Sequence, residues 1–164
     1  MSLGAEGLEE VARVAVLNNN YLLKKVTEIR GASAPYAEGR HRIEQVRFSW
    51  EDLFNETGVG TFDITCRMAD FGFHMWASHH PFVVPEPFSL EPTESYSKAE
   101  LDEYIAALKR ISDEAYENPE IVKTAPHSSV THRPGHDTLD DPNKWAVTWR
   151  SYLKKCAQAK RKRI

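Results

Sequence analysis

Histidines are the first residues to test for chemistry, because their imidazole nitrogens are common metal ligands. Two groups stand close in sequence, one spanning seven residues and one spanning ten: His74, His79 and His80, then His127, His132 and His136. The zinc-hydrolase pattern, two histidines four apart on a helix with a glutamate between them, is absent from the sequence. His74 and His79 fall in an extended, proline-bordered stretch that gives no reason for convergence. We therefore expect loop and surface histidines and no metal site.

Nucleophilic chemistry has little support in the sequence. Cys66 and Cys156 are the only cysteines, and we expect both to be free thiols in a reducing compartment. Cys66 lies in a helical pattern with no base nearby in sequence, which favours packing over catalysis. Residues 57–60 contain two glycines but lack the lysine and spacing of a phosphate-binding loop. We predict no catalytic residue in this chain.

Two carboxylates flank a proline at a predicted strand-to-helix junction. Glu91 and Glu94 stand on either side of Pro92 and Thr93. Carboxylates near the start of a helix are favourable because of the helix dipole, and this explains Glu94 without any function. Glu91 on a short strand is explained less well, since a carboxylate there pairs with a cation or faces a cleft.

A run of three asparagines interrupts the first predicted helix. Asn18, Asn19 and Asn20 each cost up to about 0.7 kcal/mol relative to alanine in a helix interior. Asn18 also falls on the apolar stripe of that helix. Two interpretations remain open: a kinked or partly exposed turn, or a helix whose middle faces a polar cleft.

Periodicity predicts the elements that must position these residues. Apolar residues every three or four positions indicate a long first helix over residues 7–29, and alternation indicates a strand over residues 43–50. Thr61 is predicted to cap a helix that turns Ile64, Met68 and Phe71 inward and stops at Gly72. A short strand at 88–90 and a capped helix over 97–116 follow, and then a turn begins at 118. The last predicted elements are an arm over 127–144 and a final helix over 145–158. This order predicts an α+β fold, with a few-stranded, mostly antiparallel sheet covered by helices.

Composition excludes several classes of protein. The 164 residues carry a net charge of −3 and are 41% hydrophobic, as in a folded domain. No apolar run approaches the roughly 18–20 residues of a membrane span. No apolar stretch follows a basic N-terminus, so we expect no secretory signal and a cytoplasmic protein. The basic residues after Lys154 lack interleaved aromatics, which argues against nucleic-acid binding and favours a solvated terminus.

Six short motifs, in order, are similar to those of one enzyme family. They are residues 16–21, 57–64, 70–74, 90–95, 98–102 and 118–127, and the most specific are the segments from Phe71 to His74 and from Leu90 to Ser95. Together they resemble the C-terminal domain of the glycine decarboxylase P-protein, the pyridoxal-phosphate (PLP) subunit of the glycine cleavage system. In split bacterial forms this domain ends the second subunit. The resemblance covers residues 4–127, and residues 128–164 are expected to form an extended arm, a final helix and a basic tail.

The resemblance implies the small domain of a fold-type I PLP enzyme. In that family glycine is decarboxylated and its aminomethyl group passes to the lipoyl arm of the H-protein. PLP is held by a lysine in a large domain upstream, and no lysine here stands in a matching context. The resemblance thus implies no catalysis and no PLP binding by this chain alone. Its implied partners are the PLP-bearing large domain or first P-protein subunit and lipoylated H-protein, and a dimer stays open.

Eight residues match motif positions and are the candidates for lining the substrate cleft: Asn18, Asn20, Tyr21, His74, Glu91, Thr93, Glu94 and His127. The resemblance implies that the domain closes one wall of the cleft and the lipoyl access path, which positions substrate. For His74, a structural hydrogen bond is an equal alternative. The sequence does not separate residues that approach substrate from residues that fix the domain.

This chain also departs from the family. Glu44 and Gln45 stand where the family usually has a histidine and a glutamate opening the first strand, and residues 75–87 and the arm after His127 drift from the usual pattern. The alternative hypothesis is therefore a stand-alone, catalytically inactive relative that acts as a binding or regulatory module.

Overall fold

The structure is a computed structural model, and it describes residues 3–37, 39–43, 45–74, 84–130, 133 and 148–161. The chain divides into two compact units, Met1–Thr131 and His132–Ile164. The first unit contains α1 Gly4–Val26, β1 Val46–Ser49, α2 Glu51–Thr57, α3 Thr61–Asp70, β2 Pro87–Leu90, α4 Lys98–Glu117 and α5 Pro119–Lys123. The second contains α6 Trp149–Arg161. A small antiparallel sheet with several helices confirms the predicted α+β class.

The first helix is displaced from its predicted bounds. It runs over Gly4–Val26, not over residues 7–29. Just after its end, the Thr27 hydroxyl donates to the carbonyls of Leu23 (2.8 Å) and Lys24 (3.1 Å) and so satisfies carbonyls of the last turn. Its buried residues all lie in the second half, from Asn18 to Val26.

The sheet consists of β1 and β2, paired antiparallel with Phe48 opposite Phe88. The Phe88 ring stacks on Phe48 and on Trp50, with ring centroids 5.0 Å apart in both pairs. Strand β1 is shorter than the predicted strand over residues 43–50. The predicted alternation of buried and exposed side chains fails at Ser49, which is fully buried. Burial is tolerated there because the Ser49 hydroxyl donates to the Pro85 carbonyl at 2.5 Å.

Two short helices follow the first strand. The sequence prediction missed α2, which ends at Gly58 in the left-handed conformation (φ 70°). Gly60, not Thr61, is the N-cap of α3, and the Glu86 carboxylate accepts a hydrogen bond of 2.7 Å from the Thr61 amide. Ile64 and Met68 point inward as predicted, whereas Phe71 is exposed because the helix ends one residue before it.

The fourth helix begins as the sequence predicts. The Ser97 side chain accepts from the Glu100 amide, and the Glu100 carboxylate accepts from the Ser97 amide at 2.7 Å. Leu101, Leu108 and Ile111 are buried, and Leu108 and Ile111 belong to the hydrophobic core. Pro119 then opens α5, as predicted.

The second unit contributes one helix of the described chain. Trp149 and Tyr152 stack on α6 with ring centroids 5.2 Å apart, and both side chains are exposed. Residues 145–147 of the predicted final helix lie outside the described residues, as does most of the predicted arm. In the described part of the chain, no helix is long and apolar enough to cross a membrane.

Candidate functional site

The asparagine run joins α1 to the segment between β2 and α4. The Asn18 amide donates to the carbonyls of Thr93 (2.9 Å) and Tyr96 (3.0 Å). Asn18 is only 8% exposed, so the hydrogen bonds satisfy a polar group that burial would otherwise penalise. The residues from Leu90 to Ser95 are therefore held on the middle of α1.

Asn20 performs the same task on the loop before β1. Its amide donates to the carbonyls of Val16 and Arg42, both at 2.8 Å, and its oxygen accepts from the Arg42 amide at 2.9 Å. We call Asn18 and Asn20, with the backbone groups they bind, the asparagine clamp. The clamp explains why α1 retains residues of poor helix propensity, since each makes hydrogen bonds to a distant segment.

Tyr21 belongs to a charged cluster beside the clamp. Its hydroxyl donates to the Asp102 carboxylate, which also accepts from the Lys98 ammonium at 2.5 Å. The hydrogen bonds from Lys98 and Tyr21 lower the pKa of Asp102. Sequence reasoning placed Asp102 in a motif but not among the candidates, because nothing in the sequence shows that it meets Tyr21.

The carboxylates of the 91–94 segment face solvent. Glu91, Thr93 and Glu94 are exposed, and the side chains of Thr93 and Glu94 form hydrogen bonds with their neighbour Ser95, at 3.3 and 3.5 Å. Within the described residues, Glu91 has no hydrogen bond or ion pair. The exposed Glu91 carboxylate, two residues before the clamped Thr93 carbonyl, is accessible to a group from outside this domain.

His127 lies at a different place, beside α3. Its backbone amide and that of Ser128 donate to the Asp70 carboxylate, at 2.7 and 2.6 Å, while its Nε2 lies 2.8 Å from the Ile121 carbonyl. Asp70 also accepts from Arg67 at 2.9 Å. Burial opposes ionisation of Asp70, but the hydrogen bonds from Ser128, Arg67 and His127 hold its pKa below the usual value.

Arg67 extends this cluster to α4. Its guanidinium donates to Glu114 at 2.9 Å, and Glu114 also accepts from Arg110 at 3.0 Å. Glu114 is nearly buried, and although burial raises its pKa, the two arginines bring the net pKa below the usual value. This network holds the chain after α5 against α3 and α4, which indicates a structural role.

The candidates thus fall into separate groups along α4. Asp102, which marks the first group, and Glu114, which marks the His127 group, are twelve residues apart, or about 18 Å along a helix. His74 is exposed and follows Phe73, whose ring packs edge-on against Tyr104 at 5.3 Å. The structure therefore brings Asn18, Tyr21 and Thr93 into one neighbourhood and leaves His127 away from them.

A cavity of about 560 Å³ lies between the end of α1 and the loop at residues 32–41. Its lining includes Lys24, but the described lining residues include no carboxylate to pair with a pyridine nitrogen and no Phe, Tyr or Trp to stack on the ring. These residues do not fit PLP. In the described chain, no three His, Cys, Asp or Glu side chains are grouped to hold a metal ion.

The fold and this site define a class: a small α+β domain that presents clamped polar loops and, among its described residues, no assembled catalytic centre. A family model described as "Glycine dehydrogenase, C-terminal domain" matches residues 11–134. The chain belongs to this glycine dehydrogenase C-terminal domain family, which confirms the resemblance seen in its motifs.

Full-length relatives show the same relationship. The chain is 48% identical over 150 residues to the probable glycine dehydrogenase (decarboxylating) subunit 2 of Pyrococcus horikoshii, and equally to that of Pyrococcus furiosus. It is 42% identical over 133 residues to the subunit of the same name from Thermotoga maritima. These matches cover 92%, 92% and 81% of this chain but only 29%, 29% and 27% of the relatives. The chain thus spans less than a third of the length of the relatives it matches.

Proposed function

We propose that this chain acts as the C-terminal domain of a glycine dehydrogenase (decarboxylating), the P-protein of the glycine cleavage system. The observation that carries the proposal is its 48% identity, over 92% of its length, to 29% of an archaeal subunit 2. The domain shapes the active-site cleft and the access path of the lipoyl arm. The Schiff-base lysine and the PLP belong to another domain or subunit, and the protein works in the cytoplasm.

The exposed first half of α1 indicates that another domain packs against it. No residue from Gly4 to Leu17 is buried, although Leu8 and Leu17, 62% and 68% exposed, are apolar. An amphipathic helix is stabilised mainly by packing of its apolar face. We therefore assign this half of α1 to contact with the PLP-bearing large domain or with the first P-protein subunit.

The role of the clamped 91–94 segment is to position, not to react. PLP, when bound elsewhere in the enzyme, supplies the electron sink for decarboxylation of glycine. The clamp holds the carbonyls of Thr93 and Tyr96 on α1, and we assign to Thr93 and the nearby Glu91 the orientation of the substrate or of the lipoylated H-protein. Cleft residues that only position a reactant affect the rate through geometry, so rigid anchoring of their backbone is what this role requires.

A chimera tests the proposal. The C-terminal domain of the Pyrococcus horikoshii subunit 2 is replaced by this chain, and carbon dioxide release from glycine is measured with lipoylated H-protein. We expect activity within about a hundredfold of the parent, because small misplacements of positioning groups cost about that much. The parent subunit without any C-terminal domain is the control.

The outcome separates the two hypotheses. A folded chimera that holds PLP, as judged by its absorbance, but releases no more carbon dioxide than the truncated control contradicts the proposal. That result favours the stand-alone, catalytically inactive binding or regulatory module.

A further inference from the structure

The cavity beside α1 has a polar rim and an apolar floor. Leu23, Ala34 and Ala37 line its apolar part, and Lys24, Arg40 and His41 supply nitrogen groups. Its volume of about 560 Å³ falls in the range of small-molecule sites. Nothing in the proposed cleft function uses these residues.

Among the described residues the cations of the cavity form no short ion pair, although the charge of Lys24, after the hydrogen bond from Lys25, contributes to lowering the pKa of Glu28. Lys25 pairs with Glu28 at 2.8 Å and Arg30 pairs with Glu56 at 3.5 Å. Over the described residues, Lys24 and Arg40 form no such ion pair, and the cavity lining contains no carboxylate. Glu38, in the same loop, lies outside the described residues. Two cations that line the same recess raise its local positive potential, which attracts anions.

Two of the residues that line the cavity, Asn20 and Ser33, are fixed by hydrogen bonds. Ser33 and Ser49 exchange two backbone hydrogen bonds of 2.9 Å, which anchor one side of the loop to β1. Asn20 holds the Arg42 backbone at the other side. A loop tied at both ends presents its side chains with little cost of ordering, and this favours binding.

A second recess of about 190 Å³ adjoins the first through Ala37 and adds more positive charge. Arg42 and Arg47 line it. Arg47 donates to Gln45 and, at 3.0 Å, to the Ser89 hydroxyl, so these described partners of its head group are neutral. The described linings of the two recesses thus place Lys24, Arg40, Arg42 and Arg47 along one stretch of the domain, in which Glu38 and Glu44 are outside the described residues.

We propose that the cavity between α1 and the loop at residues 32–41 binds a small organic anion. Its phosphate or carboxylate group contacts Lys24 and Arg40, and its apolar part contacts Ala34 and Ala37. This goes beyond the proposed domain function and does not depend on it. Small-molecule sites are concave, so this recess favours a small molecule as the ligand over the surface of another protein.

The experiment is a titration followed by backbone amide NMR. The 164-residue chain receives inorganic phosphate in one arm and succinate in the other, with ionic strength held constant by chloride. We expect saturable shifts centred on residues 20–27 and 32–41, and a double variant Lys24→Gln, Arg40→Gln that weakens affinity about tenfold. The arm that saturates at lower concentration identifies phosphate or carboxylate as the head group.

The control variant removes the same charge elsewhere. Arg13→Gln with Lys109→Gln takes two positive charges from exposed positions outside the cavity and should leave the affinity unchanged. The proposal is overturned by linear, non-saturating shifts in both arms. It is equally overturned by a cavity variant that binds as tightly as the unmodified chain, or by an equal loss of affinity in the control variant.

Discussion

At the scale of single residues, the asparagine run was the point on which the sequence left two interpretations open. The structure assigns Asn18 and Asn20 to the clamp, which ties two loops to one helix. The polar-cleft interpretation remains compatible with it, since the clamped 91–94 segment is the one that presents Glu91 to solvent. Whether the eight candidates contact substrate stays a prediction.

Replacing Asn18 with alanine tests the clamp. Two neutral hydrogen bonds are lost while helix propensity improves, so we expect a net loss of about 1 kcal/mol in the free energy of unfolding. Chemical denaturation measures it. Asn55→Ala is the matched control: Asn55 is exposed on α2, and its replacement should stabilise the chain by a few tenths of a kcal/mol, about the propensity gain alone. Equal effects in the two variants would show that the clamp contributes nothing.

Asp70 makes stability depend on pH. Its pKa, like that of Glu114, is lower in the folded chain than its usual value, so the unfolded chain binds more protons in mild acid. The stabilisation is therefore complete above the usual carboxyl pKa, about 4, and is lost as pH falls through the lowered folded pKa.

The variant Asp70→Asn should lower the free energy of unfolding at pH 7 by about 1–3 kcal/mol, because the Arg67 pair is lost. The difference from the unmodified chain should shrink as pH falls through the acid range. Asp113→Asn, at an exposed position of α4, serves as control and should change stability by less than about 0.5 kcal/mol. A pH-independent difference for Asp70→Asn would contradict the role of its charge.

At the scale of elements, Gly31 allows the loop after α1 to pack closely against Leu53 of α2. Gly31 has φ 78°, and an added Cβ would lie 2.6 Å from the Leu53 Cβ and 2.8 Å from the Tyr116 hydroxyl. Gly39 has φ 65° and open space around it. An alanine at either position would strain the backbone because φ is positive, but only at Gly31 would its methyl group also meet other atoms.

Gly31→Ala should therefore cost at least about 1–3 kcal/mol more than Gly39→Ala, since overpacking adds to the shared backbone cost. Thermal or chemical unfolding of both variants measures the difference. Equal costs would show that the packing of Leu53 and Tyr116 yields readily to the added methyl group.

The sequence predicted elements with long periodic patterns or explicit caps, and it missed what depends on distant contacts. The Ser97 box and Pro119 marked α4 and α5 correctly because both signals are local. α2 was missed because seven residues are too few for a helical period to stand out. The partners of Asn18 lie 75 and 78 residues away, and no local pattern reports such a contact.

At the scale of the whole molecule, the unburied half of α1 is the surface that needs a partner. Leu8→Gln should leave the stability of this chain alone within about 0.5 kcal/mol, because Leu8 is 62% exposed. In the chimera with the Pyrococcus horikoshii subunit, the same change should lower stability by about 1–3 kcal/mol, the range for burying a leucine. Glu10→Gln, exposed on the same helix, is the control. A loss of stability in the lone chain would place the packing of Leu8 within it.

The central claim is that this chain shapes the cleft while the cofactor lysine lies outside it. The most direct measurement is the absorbance of the 164-residue chain after incubation with PLP and gel filtration. We predict no retained Schiff-base band near ~410–430 nm, because the described lining around Lys24 has no carboxylate and no aromatic ring to hold the cofactor. A stoichiometric band that survives gel filtration and is abolished by borohydride would contradict the claim, and its loss in Lys24→Gln would identify the lysine.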